Sequence, residues 1–111
     1  MLGYYLKGKA ILPLFQVKFS NAYGEHFNFC IHNNGEKPIN IYKVVYPNDI
    51  ETDQTQFSDE EFGAVILQKI TKEKPINIEV YYKLNNNKTK RTDIELIRDG
   101  QKIYIQNQSH K

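Results

Sequence analysis

Tryptophan is absent from this chain of 111 residues, and Cys30 is its one cysteine. With a single thiol no disulfide can form within the chain, so the core alone has to hold the fold. Alanine, the strongest helix former, is scarce, which works against a helical protein. The longest apolar stretch near the start, Ala10-Ile11-Leu12-Pro13-Leu14-Phe15, is about a third of a membrane span and contains a proline. No segment combines the apolar run and small-residue cleavage site of a secretory leader. These absences predict a reducing, cytoplasmic setting, the alternative being a soluble domain cut from a membrane-anchored protein. There is no Gly-rich phosphate loop, no Gly-x-Ser-x-Gly elbow and no Cys-x-x-Cys pair. That removes the common motifs for nucleotide binding, serine nucleophiles and structural zinc.

What is present points to strands. The hydrophobic fraction is 40% and the charged fraction 25%, which describe a globular chain rather than a disordered one. Eight Tyr and six Phe join many Ile, and such side chains pack well on a pleated surface. A length of 111 residues suits a single domain over 1–111, with 1–12 and 107–111 expected to be loosely ordered.

Alternation of apolar and polar residues recurs along the chain, the mark of a strand with one buried face. It predicts that Phe15, Val17 and Phe19 share a face, and that Phe27, Phe29 and Ile31 do so after turn residues 20–24. Asn33-Asn34-Gly35 then reads as a hairpin turn. The run from Ile39 to Tyr46 changes phase midway, with Ile39 and Ile41 on one face and Tyr42, Val44 and Tyr46 on the other, as a bulge would produce. Residues 48–61 are polar and acidic and read as the longest loop. Ser58 and Glu61 fit a helix capping box, so a helix at about 59–70 competes with a capped turn followed by a strand at 64–70. Ile76, Ile78, Val80, Tyr82 and Leu84 form the clearest alternation of all. Asn85 to Lys88 turns the chain, and Asp99-Gly100 marks a hairpin between Ile94-Leu96 and Ile103-Ile105. The hexamer Glu-Lys-Pro-Ile-Asn-Ile occurs at 36–41 and again at 73–78, but the flanks differ, so it reads as a recurring strand start rather than a repeat.

Six or seven short strands separated by turns predict an all-β fold, an antiparallel two-sheet sandwich, with α+β as the alternative if 59–70 is helical. Between Gly24 and Val45 a strand of alternating Phe and Ile ends in Asn-Asn-Gly and restarts as Pro-Ile-Asn-Ile. In this the chain, over residues 14–106, resembles small bacterial immunoglobulin-like β-sandwich domains. The Cys–Trp–Cys core of that fold is missing here. The resemblance implies an immunoglobulin-like fold class and no activity.

Residues able to carry chemistry are few. His26, Cys30 and His32 fall on one face of a strand and are candidate zinc or copper ligands, but they lack the spacing of a structural site. A Cys30–His32 nucleophile pair would lie side by side along one strand, poor geometry for proton transfer. Asp49, Glu51 and Asp53 alternate as at the start of a calcium loop, but Gln54 stands where the loop requires glycine. No cofactor is expected.

The net charge of +2 favours no partner, although its distribution is uneven. Acids from Asp49 to Glu61 contain no Lys or Arg, whereas Lys83, Lys88, Lys90 and Arg91 cluster. Tyr81 and Tyr104 beside Lys88, Lys90, Arg91 and Lys102 are compatible with a barrel that binds single-stranded nucleic acid. Tyrosine is also favoured at protein interfaces. The leading expectation is therefore a non-catalytic module that acts through protein contact or self-association, with Tyr42, Tyr46, Tyr81 and Tyr104 as contact residues. A small metal or thiol protein centred on Cys30 is the third reading.

Overall fold

A computed structural model describes residues 13–23, 26–67 and 74–111, and these contain eight strands and no helix. The strands are β1 (Phe15–Tyr23), β2 (His26–Asn33), β3 (Asn40–Val45), β4 (Thr52–Ser58), β5 (Glu61–Ile66), β6 (Ile76–Lys83), β7 (Thr89–Asp99) and β8 (Lys102–His110). They form two antiparallel four-stranded sheets, ordered β1-β2-β5-β4 and β3-β6-β7-β8, packed as a sandwich. Expectations placed on residues 1–12, Gly24 and 68–73 lie outside the described residues.

The alternation in the sequence explains the core. In the first sheet Phe27, Phe29 and Ile31 of β2 stand opposite Ile66, Ala64 and Phe62 of β5, and all six are buried. In the second, Ile76, Ile78 and Val80 of β6 pair with Leu96, Ile94 and Thr92 of β7. Phe15 joins the two layers. Its ring meets Phe62 at 6.2 Å and Tyr82 at 6.0 Å, both edge-on, the geometry that aromatic quadrupoles favour. Truncating any of these Phe side chains to Ala is expected to cost about 3–5 kcal/mol.

Several expectations need correction. The acidic stretch 48–61 contains a strand, β4, hydrogen-bonded to β5. Its sequence, TDQTQFS, has no apolar alternation because β4 lies at the sheet edge and is made a strand by its partner. The helix at 59–70 is replaced over Glu61–Ile66 by β5, with Phe62, Ala64 and Ile66 buried at every second position. The supposed capping box belongs to the β4–β5 turn instead. The Glu60 amide donates to Ser58 Oγ at 3.2 Å, and Ser58 pairs with Glu61.

Asn33-Asn34-Gly35 does not close a hairpin either, since β2 and β3 belong to different sheets. Residues 107–110 belong to β8, which runs to His110, and the Lys111 amide donates to the Arg91 carbonyl at 2.8 Å.

Of four register shifts among the described strands, one lies between Gln56 and Ser58 of β4, and the other three set which side chains of β1, β3 and β8 face out. The shift between Ile41 and Lys43 is the phase change expected in that run, and it throws Tyr42 to the surface. The shift between Val17 and Phe19 was not foreseen. Beyond it Ser20 pairs with the buried Phe29 and Phe19 with Cys30, so Phe19 sits on the outer face, 43% exposed, rather than in the core. The third lies between Glu95 and Leu96, where Gln106 is the extra residue on β8. The turns at Asn87 (φ 65°) and Gly100 (φ 67°) occupy the left-handed region that these residue types tolerate.

Candidate interaction surfaces

The four tyrosines do not make one surface. Tyr46 is a correction: it is 7% exposed and packed in the core, where burial pushes its hydroxyl pKa up. Tyr42 and Tyr81 do come together on the outer face of the second sheet, with ring centroids 6.4 Å apart. Tyr104, also exposed, lies at the β8 edge and lines a different cavity.

That cavity is a slot of about 580 Å³ between β1 and β8. Each of these strands is the last in its sheet, so each has one edge without a strand partner among the described residues. The two edges approach but do not pair. Two side chains bridge them. The Gln108 carboxamide accepts from the Phe15 amide at 3.0 Å and donates to the Phe15 carbonyl at 2.9 Å, as a peptide unit of a neighbouring strand would. The Ser20 hydroxyl accepts from the Ile103 amide at 3.2 Å. Leu14, Val17, Phe19, Ile103, Tyr104 and Ile105 line the space between.

A second cavity, about 500 Å³, is an open hollow around Tyr42 and Tyr81, completed by Thr89, Lys90, Arg91 and Lys111. Lys43 Nζ lies 5.1 Å from the centre of the Tyr81 ring. The two acids nearby are occupied. Tyr81 donates its hydroxyl proton to Glu79 at 2.7 Å, and Arg91 forms an ion pair with Asp93, donating one hydrogen bond to Oδ2 at 3.2 Å while Nε and Oδ1 lie 2.9 Å apart.

His26, Cys30 and His32 all lie on β2, and Cys30 is 1% exposed, opposite Phe19 on one side and Gly63 on the other. Its Sγ is 3.9 Å from Glu61 Oε1, and Glu61 is held by Lys18 at 2.8 Å. Burial first, then the Glu61 charge, pushes the thiol pKa up, the direction opposite to nucleophile activation. Among the described residues no three His, Cys, Asp or Glu side chains converge as metal ligands.

Sequence reasoning missed Gln108 and His110. Both face inward because the irregularity at Gln106 reverses the phase of β8, and no apolar residue follows Ile105 to reveal it. His110 Nδ1 lies 2.8 Å from Thr92 Oγ1, which lies 2.8 Å from the Tyr82 hydroxyl. The chain is satisfied when Tyr82 donates to Thr92 and Thr92 donates to a neutral imidazole. Burial correspondingly lowers the His110 pKa. No helix among the described residues is long and apolar enough to cross a membrane.

No protein-family model matches the chain, and no curated protein or solved structure matches it at a significant level.

Proposed function

We propose that this is a non-catalytic, immunoglobulin-like module that binds another protein by accepting an extended segment as an added strand in the β1–β8 slot. One observation carries the reading. Of the four large hydrophobic side chains left exposed among the described residues, Leu14, Phe19 and Tyr104 line this one slot. Water-exposed apolar groups gathered between two strand edges that have no strand partner among the described residues suit a strand that brings both hydrogen bonds and alternating side chains. Gln108 supports it further, because a primary amide already takes the place of such a strand at Phe15.

The strand order supports the immunoglobulin-like part. β1-β2-β5-β4 against β3-β6-β7 follows the A-B-E-D and C-F-G order of constant-type domains, with β8 added beyond the last strand. A second copy is disfavoured as the occupant. The register shift beside Lys18 bends the β1 edge, a device that discourages identical edges from pairing.

The test is a displayed random-peptide library panned against the whole chain, followed by amide NMR with the selected peptides. Shifts confined to Phe15–Ser20 and Lys102–Ile105, with binding weakened at least about tenfold by Phe19→Asp, are expected for a buried anchor. Shifts elsewhere, or binding indifferent to Phe19→Asp and Tyr104→Asp, would refute strand addition here. Self-association abolished by the same variants would reassign the slot to a second copy.

A further inference from the structure

The Tyr42–Tyr81 hollow is separate from the slot and differs from it in chemistry. Its walls are cationic and aromatic rather than apolar. Lys90, Arg91 and Lys111 line it, Lys43 stands over the Tyr81 ring, and Lys83 follows Tyr81 on the same face of β6. Glu79 accepts from Tyr81, and Asp93 pairs with Arg91 at 2.9 Å and more loosely with Lys111 at 3.8 Å, so both acids offset part of the charge. Lys43, opposite Tyr81 on the same face, has no ion pair among the described residues. Tyr42 remains 47% exposed, which leaves a ring face free. The register shift between Ile41 and Lys43 is what turns that ring outward, the kind of local irregularity that re-aims a side chain towards a site.

A ligand that suits both features must be anionic and must carry a flat apolar face. An acidic peptide would satisfy the lysines and leave the exposed ring unused. A nucleotide satisfies both, because its base stacks on tyrosine while its phosphate meets Lys and Arg. A duplex hides its base faces, which leaves unpaired strands. The cations continue from Lys111 and Lys43 to Lys83 and, at the β6–β7 turn, Lys88, which is a path for a backbone longer than one nucleotide.

We infer that the outer face of the second sheet, centred on Tyr42, Tyr81, Lys43 and Lys111, binds single-stranded nucleic acid without sequence preference. The base stacks on Tyr42, and Lys43 and Lys111 hold the flanking phosphates.

Fluorescence anisotropy with a labelled twelve-residue oligo-dT tests this at several salt concentrations on the whole chain. Binding should weaken with salt. Tyr42→Ala should reduce affinity about tenfold at every salt concentration. Lys43→Gln and Lys111→Gln should each lower the slope of log affinity against log salt by about 0.7. Phe19→Asp, in the slot, should change nothing, with circular dichroism confirming the fold of each variant. Absence of binding at low salt overturns the inference. So does equal binding of a poly-glutamate peptide combined with indifference to Tyr42→Ala, which would assign the hollow to an acidic protein segment.

Discussion

Two parts of the sandwich are closed in opposite ways. At the end where β2 leaves the first sheet, Asn33 is 1% exposed and uses its full hydrogen-bonding capacity. Its Oδ1 accepts from the Leu14 and Gly35 amides, and its Nδ2 donates to the Glu36 carbonyl and Glu60 Oε1, all within 3.0 Å. Glu60 accepts in addition from the Ile39 amide at 2.8 Å, and the Ile41 amide donates to Asp59 at 2.9 Å. One amide and one carboxylate thus tie together β1, the β2–β3 crossover and the β4–β5 turn. Along the β1–β8 flank, Gln108 and Ser20 hold two strand edges apart instead of joining them. A knot without spare donors or acceptors specifies the fold, whereas an edge with spare ones is available to a partner.

The sharpest way to break the contrast is Asn33→Ala. It strands several buried partners at once and should cost about 3 kcal/mol or more, read by urea denaturation. A loss below about 1 kcal/mol would show that the knot is incidental. Gln108→Leu should cost less, about 1–2 kcal/mol, because the freed Phe15 groups can reach water at the slot. Its signature should be local, with faster amide exchange in β1 and β8 and unchanged protection in β2 and β6.

Tyr46→Phe sharpens the comparison from the other direction. The Tyr46 hydroxyl is buried and has no hydrogen-bond partner among the described residues. Removing it should raise stability by about 0.5–1 kcal/mol in the same assay, since a desolvated donor is lost and no bond is broken. A clear destabilisation would mean the hydroxyl is satisfied.

The smallest effect concerns pH. The His110 pKa is lowered in the folded protein from 6.5 by burial, so the unfolded chain takes up the proton first as pH falls. The stability associated with the neutral imidazole is complete above about 6.5 and is lost as pH drops through the lower, folded value. His110→Gln should flatten that part of a stability profile recorded between neutral and mildly acidic pH. Parallel profiles for the two proteins would detach His110 from the Tyr82–Thr92 chain.

Much of the architecture could be read from residue order. Phe27, Phe29 and Ile31 and then Ile76, Ile78, Val80 and Tyr82 are inward as their spacing required, and the turns after Lys83 and Asp99 fall where Asn and Gly allow positive φ. The candidate surfaces were far less legible. Tyr42 and Tyr81 were named, but nothing in the order of residues placed Lys43 over the Tyr81 ring or Lys111 beside the pair. Tyr46 was misplaced because, after a phase change, a residue's face depends on where the irregularity falls. Phe19 was misplaced for the same reason at Lys18.

One-sided burial requires only that every second side chain be apolar, a property a strand carries along its own length. It was therefore enough to establish an all-β chain and most of its core. A bulge is a mismatch between two strands, and a polar edge strand such as β4 is extended because of what it pairs with. Neither exists in one segment considered alone, so the slot, the hollow and the inward turn of Gln108 and His110 were decided only when the sheets assembled.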